Sequence, residues 1–182
     1  NRQFEGVTRP FMVKAYDSSF SVIDHELQAE GANILPAQLR NASVVPSSTL
    51  AGEVVTMRVS FTPINEIPPN GHIEVVFPDG IDLSMMPLEA GVLGGPTDEA
   101  NVFENSPRDC GRVVLRLTGQ AVLMVRDNNC TSIPANQSFS LLLTRVRNIP
   151  FPGAGGTYVI RTKAHDSLID HDETVAPTIF TT

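Results

Sequence analysis

The chain has 182 residues and a net charge of −7, from 13 Lys and Arg against 20 Asp and Glu. This is the length of one ordinary domain, or of one domain with a long arm, and a hydrophobic content of 41% is enough for a core. The acidic balance argues against nucleic acid as a partner, no apolar run approaches the ~20 residues of a membrane span, and fourteen prolines with thirteen glycines exclude long helices.

Short segments of alternating polar and apolar residues, most of them bounded by Pro, Gly, Asn or Asp, follow one another along the chain. In chain order the predicted strands are 11–16, 21–24, 42–45, 53–62, 72–77, 113–117, 122–126, 139–146 and 157–162. Alternation with a period of two is typical of strands that have one buried face. The pattern predicts an all-β fold, a two-sheet antiparallel β-sandwich of the immunoglobulin-like or jelly-roll kind, with an extended amino-terminal strand arm.

The only two cysteines, Cys110 and Cys130, flank two of the predicted strands. Gly119-Gln120 between those strands suits a two-residue type II′ turn, which makes the segment a β-hairpin. Both thiols then lie at the open end of the hairpin, so we predict a Cys110–Cys130 disulfide that stabilises the fold by roughly 3 kcal/mol. Two reduced, buried thiols are the alternative.

Three Asn-x-Ser/Thr sequons begin at Asn41, Asn129 and Asn136. The last two lie in a polar stretch, and Asn41 lies on the predicted solvent side of an alternating segment, so we predict N-linked glycans at all three. Unmodified surface asparagines are the alternative. Sequons and a disulfide both indicate the secretory pathway, and we predict an extracellular or cell-surface protein.

Two predicted hairpins resemble each other, and their loops are here named the first connector (61–71) and the second connector (147–156). In each, a predicted strand ends near an Asn, Ile-Pro follows, and a Gly opens the next strand. Proline restricts φ and glycine allows positive φ, so both loops are predicted to be rigid. A general likeness among β-loops is the alternative.

A second similarity relates the two ends of the chain. The sequence Lys-Ala-x-Asp-Ser followed by Ile-Asp-His occurs at 14–25 and again at 163–171, and the first copy carries an insertion of three residues, 19–21. Identity of this extent indicates a repeat. The copies lie 146 to 149 residues apart, so the chain contains one repeat length and the beginning of the next.

A single β-domain has one place for this motif, so we predict an arm at 1–26 and a β-sandwich domain at 27–182. We expect the arm to add a strand to a neighbouring copy of the chain, and the predicted assembly residues are Phe11, Val13, Ala15, Val22 and Ile23. A head-to-tail contact that does not close on itself generates an open filament. Two alternatives remain, pseudo-equivalent strands within one domain and one domain of a tandem polyprotein.

Several of these motifs together resemble repeats of large extracellular surface proteins of aquatic microbial eukaryotes. The motifs are Asn-x-Ile-Pro-Pro-x-Gly and Phe-Pro-x-Gly within 61–80, Gly-Thr-Tyr-Val-Ile-Arg-Thr at 156–162, and the Ile-Asp motif. They also resemble glycosylated β-protomers of helical fibrils recovered from environmental water. The resemblance covers residues 14–173 and implies a β-sandwich protomer, N-linked glycans, assembly through a terminal strand and no catalysis.

The sequence therefore predicts a structural protomer of an extracellular filament or surface appendage, without a cofactor, that binds copies of itself. The alternative is a monomeric adhesion or carbohydrate-binding module. That module would bind Ca²⁺ through several carboxylates, for which the candidates are Asp166, Asp170, Asp172 and Glu173. His25 and His171 stand beside carboxylates and are candidates for a metal ligand or a general base, although polar loops after strands are the simpler interpretation.

Overall fold

A computed structural model of the chain describes residues 5–87, 102–104, 113–126 and 130–182. The described residues form sixteen strands: β1 (Gly6–Val7), β2 (Phe11–Tyr16), β3 (Val22–Ala29), β4 (Asn33–Ile34), β5 (Ala37–Gln38), β6 (Arg40–Pro46), β7 (Val54–Thr62), β8 (Gly71–Val76), β9 (Val102–Glu104), β10 (Val113–Thr118), β11 (Ala121–Arg126), β12 (Phe139–Arg147), β13 (Gly153–Ala154), β14 (Tyr158–Ala164), β15 (Ser167–Val175) and β16 (Ile179–Phe180). Each of the nine predicted strands overlaps one of them. In the same ranges there is no apolar helix of membrane-spanning length.

Two sheets enclose one core, which confirms the predicted all-β sandwich. The larger sheet has the order β10-β11-β8-β14-β15-β5, and the smaller has the order β6-β7-β12-β9. Neighbouring strands in both sheets are antiparallel, except that the two-residue strand β5 runs parallel to β15. The remaining strands form the two-stranded pairs β1-β4, β13-β16 and β2-β3.

The core lies between the sheets because the long strands bury every second side chain. Strands β7, β8 and β14 alternate strictly between buried side chains and side chains that are at least partly exposed. The rings of Phe61 and Phe139 lie 5.2 Å apart in the smaller sheet, and Phe77 meets Tyr158 edge to face at 5.7 Å. The hydroxyl of Tyr158 lies 3.1 Å from that of Thr178, and burial raises the pKa of Tyr158.

The predicted hairpin around Gly119-Gln120 is confirmed. Strands β10 and β11 pair from Val113 opposite Arg126 to Thr118 opposite Ala121, which leaves a two-residue turn. Gly119 has a φ of 58°, a conformation that the first position of a type II′ turn requires. The sequence pattern was sufficient here because turn and strands are adjacent in the chain.

The two connectors differ in what their asparagines bind. Asn65 donates its side-chain amide to Asp170 on β15 at 2.7 Å. Asn148 instead donates to the carbonyl oxygens of Ser48 and Leu50, at 3.0 and 2.8 Å, in the turn before β7. The prediction that these loops close related hairpins is wrong, because each leads from one sheet to the other, the first from β7 to β8 and the second from β12 to β14. The shared sequence instead gives two loops that bind different parts of the sandwich.

Candidate assembly site

The predicted arm contains a hairpin, β2–β3, rather than a single extended strand. Among the described residues these two strands pair only with each other, outside both sheets of the sandwich. Every side chain of β2 is exposed. The predicted arm boundary at residue 26 falls within β3, which continues to Ala29.

The five predicted assembly residues are all exposed in this hairpin. Phe11, Val13 and Ala15 occupy alternate positions of β2 and therefore share one face of it. Val22 is 48% exposed, and Ile23, at the bulge in β3, is 67% exposed. A surface of this kind on a small element is typical of a protein contact site.

Three further exposed apolar residues of the hairpin were not predicted as assembly residues. Met12 and Tyr16 are 61% and 52% exposed on β2, and Phe20 is 87% exposed in the turn. The signal for Phe20 was present in the sequence, because it lies within the three-residue insertion that separates the two copies of the motif.

The inserted residues enlarge the turn between β2 and β3 to the five residues 17–21. The second copy of the motif, in β14 and β15, has the two-residue turn 165–166. A carboxylate oxygen of Asp17 accepts hydrogen bonds from the Ser19 hydroxyl at 2.7 Å and from two backbone N–H groups of the loop at 2.8 Å. These bonds, the hydroxyl first, lower the pKa of Asp17. The ordered loop presents Phe20 to solvent.

The hairpin is attached to the sandwich through a short base formed by β1, β4 and the residues next to them. The backbone N–H of Thr8 donates to Ala32 at 2.9 Å, and the Thr8 hydroxyl accepts the Ala32 N–H at 2.8 Å. Gly31 is needed at this point, because a Cβ there would lie 2.1 Å from the Thr8 carbonyl oxygen. The N–H of Glu5 donates to Leu168 at 2.8 Å, which fastens the base to the beginning of β15.

The duplicated sequence motif forms the same kind of hairpin at both ends of the chain. The second copy is β14–β15, inside the larger sheet. In each hairpin the isoleucine of the Ile-Asp-His motif, Ile23 or Ile169, is the extra residue of a β-bulge. A second bulge follows at the matching place, after Glu26 in β3 and after Asp172 in β15. Bulges are specific structural features, so the likeness of the copies extends from sequence to backbone.

The two hairpins differ in burial. Ile169 and Asp170 are 1% and 0% exposed within the domain. Their counterparts in the first copy, Ile23 and Asp24, are both exposed, Ile23 at 67%. The first copy thus carries the residue types of a buried hairpin but stands in solvent.

Asp170 shows what the motif does when it is buried. One of its carboxylate oxygens accepts the backbone N–H groups of Ile64 and Asn65, at 2.9 and 3.0 Å. The other accepts the Asn65 side-chain amide. Asp170 therefore fastens the first connector to β15, whereas Asp24 accepts the N–H of the next residue, His25, at 2.8 Å.

The acidic residues near the end of β15 are engaged within the chain. Asp172 accepts the N–H of Thr174 at 2.9 Å. Glu173 pairs with Arg161 at 3.0 Å, and hydrogen bonding to Arg161 lowers the pKa of Glu173. The ring of His171 lies 3.8 Å from Glu173. No group of three His, Cys, Asp or Glu in the described part of the chain is placed to hold a metal ion, so the Ca²⁺ alternative stays a prediction without a ligand cluster.

Two of the three sequons lie in described residues, and both asparagines are exposed. Asn41 lies in β6 with a φ of 51°, and Asn136 lies in the turn before β12 with a φ of 61°. Arg40, which precedes Asn41, donates to the Asn136 side chain at 3.4 Å, so the two sequons stand near each other. Asn129 lies outside the described residues.

Cys130 is buried, at 4% exposure, and is not a free thiol. Its neighbour Ile133 forms a bridge with Ile67 of the first connector. Cys110 lies outside the described residues, so the Cys110–Cys130 disulfide stays a prediction.

Comparison with known proteins adds little to this geometry. No protein-family model and no curated protein sequence matches the chain. Among solved structures, the crystal structure of BslA, a bacterial hydrophobin, covers 77% of this chain and 94% of its own chain, with 16% sequence identity and a TM-score of 0.38. We infer neither the fold nor the function of this chain from a likeness at this level.

Proposed function

We propose that this protein is a structural protomer of an extracellular, glycosylated filament or surface appendage, and that it is not an enzyme. In this proposal each chain contributes its amino-terminal hairpin to the next chain, head to tail. The observation that carries the proposal is the contrast between the two copies of one motif. In the copy at β14–β15, Ile169 and Asp170 are buried within the domain. In the copy at β2–β3, the matching residues and every side chain of β2 are exposed.

The physical reason is the free energy of the isolated hairpin. Two strands on their own are marginally stable in water, and exposed apolar surface loses about 25 cal/mol for each Å² that is not buried. The hairpin also has outer strand edges that pair with nothing in the described residues. A neighbouring copy can supply both main-chain partners and an apolar surface.

The extracellular and glycosylated parts of the proposal are supported by the sequons. Asn41 and Asn136 are exposed, as acceptors of N-linked glycans must be. On secretion from a eukaryotic host, Asn41→Gln and Asn136→Gln should each remove one glycan-dependent step in gel mobility. Unchanged mobility of both variants would remove this part of the proposal and leave the assembly part standing.

The assembly proposal is tested by negative-stain electron microscopy of the full chain. We expect filaments from the wild type, and dispersed particles from Val13→Glu, because Val13 is 56% exposed and its replacement changes the contact surface rather than the core. The matched control is Thr118→Glu, the same added charge at an exposed position of β10, which should still form filaments. Dispersed wild-type particles with a melting temperature raised by Ca²⁺ would support the monomeric module instead.

A further inference from the structure

The exposed apolar side chains of the described residues fall into two groups. Nine of the fourteen lie between residues 7 and 35, on the hairpin and its base. The other five form a second group: Val45, Leu50, Val54, Phe151 and Ile179. Where side-chain burial is described between residues 63 and 146, in 63–87, 114–126 and 130–146, no large apolar side chain is exposed to a similar degree.

Backbone contacts bring the segments of the second group together. Leu50 forms a bridge with Thr181. Gly52, in the same turn, donates its N–H to Ile149 of the second connector at 2.7 Å. Ile179 pairs with Ala154, which belongs to the same connector. The turn before β7, the second connector and the end of the chain therefore meet at one end of the sandwich.

A groove of about 310 Å³ opens beside them, between β6 and the segment 176–179, with Thr49 of the turn also in its lining. One wall is β6, with Val45, and the other is the segment 176–179, with Ile179. None of the side chains that line the groove is charged. Strand β6 pairs with β7 on one side, and its other edge pairs with no strand of the described residues, so it offers backbone groups to an added strand.

The groove and the hairpin lie at opposite ends of the same strand. The base of the hairpin binds β15 at Leu168, close to its beginning. The wall 176–179 directly follows Val175, the last residue of β15. Nine residues of strand span roughly 30 Å. A projection at one end and a groove at the other make a heterologous contact, which excludes a two-fold dimer and produces open chains of subunits when the rotation between neighbours does not close a ring.

The two strands of the hairpin differ in how well they suit an uncharged groove. Strand β2 has one charged residue, Lys14, among six. Strand β3 carries Asp24, His25 and Glu26 in succession. Burying charge without a partner has a large desolvation cost, so β2 is the strand that suits the groove, with β3 remaining toward solvent.

We propose that the groove between β6 and residues 176–179 is the acceptor site for the amino-terminal hairpin of a second copy of this chain, with β2 added along the open edge of β6. This inference rests on the proposed function and identifies the partner surface. Residues 11–16 of one chain occupy the groove of the next, and the exposed group around Leu50 and Phe151 borders the contact.

The test uses full-length chains with complementary defects. Val45→Glu with Ile179→Glu blocks the groove and leaves the hairpin intact, and Val13→Glu blocks the hairpin and leaves the groove intact. All three positions are more than half exposed, so both proteins should keep the wild-type melting temperature. A carboxylate in an uncharged contact should raise the critical concentration for filaments by at least about 100-fold.

Light scattering after size-exclusion chromatography distinguishes the outcomes. Each variant alone should be monomeric, and an equimolar mixture should give a particle of twice the chain mass that grows no further, because only one productive contact remains. Filaments formed by the groove variant as readily as by the wild type would overturn the acceptor site and leave the proposed function intact. If Thr118→Glu abolished filaments and the groove variant did not, the acceptor site would instead lie at β10. A wild-type chain that forms no filaments would overturn the proposed function itself.

Discussion

Replacing Asp170 with asparagine should destabilise the domain far more than the same change at Asp24. The two residues occupy the same place in a duplicated motif, but Asp170 is fully buried and Asp24 is exposed. Asp170→Asn keeps the shape of the side chain and removes its charge. It also replaces one acceptor oxygen with an NH₂ group that faces N–H donors of the first connector.

The magnitude follows from three hydrogen bonds, two from backbone N–H groups and one from the Asn65 amide. Hydrogen bonds to a charged group contribute about 1.5–3 kcal/mol each, and a buried donor left without a partner costs about 1–3 kcal/mol. An asparagine that retains one acceptor oxygen should therefore cost about 2–4 kcal/mol of unfolding free energy. In a domain of this size that lowers Tm by roughly 5–15 °C.

The assay is thermal unfolding of the two variants and the wild type, followed by circular dichroism at neutral pH. Asp24→Asn is the matched control, because an exposed substitution changes stability by no more than about 0.5 kcal/mol. Equal, small decreases in Tm for both variants would refute the conclusion that Asp170 holds the first connector to β15. A large decrease for Asp24→Asn alone would show that the first copy, not the second, is the buried one.

Three other changes test separate parts of the structure. Phe139→Ala, at a ring 1% exposed, should cost about 3–5 kcal/mol in urea unfolding, and a cost below 1 kcal/mol would argue against this core. Gly31→Ala should open the base of the hairpin, because its Cβ would overlap a backbone oxygen. A protease should then cut the hairpin faster while the main thermal transition stays in place. An unchanged cleavage rate would contradict the conclusion that this base holds the hairpin. Although partial burial raises the pKa of Glu74, hydrogen bonds from Lys163 and Arg161 lower it overall. The resulting stabilisation is present above the ordinary glutamate pKa of about 4.3 and is lost as the pH falls through the lower pKa of the folded state. Glu74→Gln should therefore weaken the acid dependence of Tm, and a Tm that falls with acid as it does in the wild type would contradict this.

Local sequence patterns predicted most of the strands because each depends on neighbouring residues. The alternation in 53–62 and the Gly119-Gln120 turn needed no information from the rest of the chain. The duplicated motif likewise predicted an arm with exposed assembly residues. The sequence did not predict that the arm pairs with itself as a hairpin to Ala29, because the pairing partner of a strand is not contained in its own alternation.

The candidate site shows the same division. Phe11, Val13 and Ala15 were identified from one continuous segment. The acceptor groove was not, because its walls come from 42–46 and 176–179, which are far apart in the chain and meet only after both sheets have formed. The connectors are a further example, since Asn65 and Asn148 share a sequence context but bind different partners.

The alternating polar and apolar segments indicated an all-β chain without any coordinates, and the proline and glycine content excluded long helices. The recurrence of one motif after about 147 residues indicated more than one repeat length. Those properties are local or additive along the chain. Tertiary structure alone decided which copy of the motif is buried and which is exposed. That decision depends on neighbours: Asp170 has the first connector against it, and Asp24 has solvent.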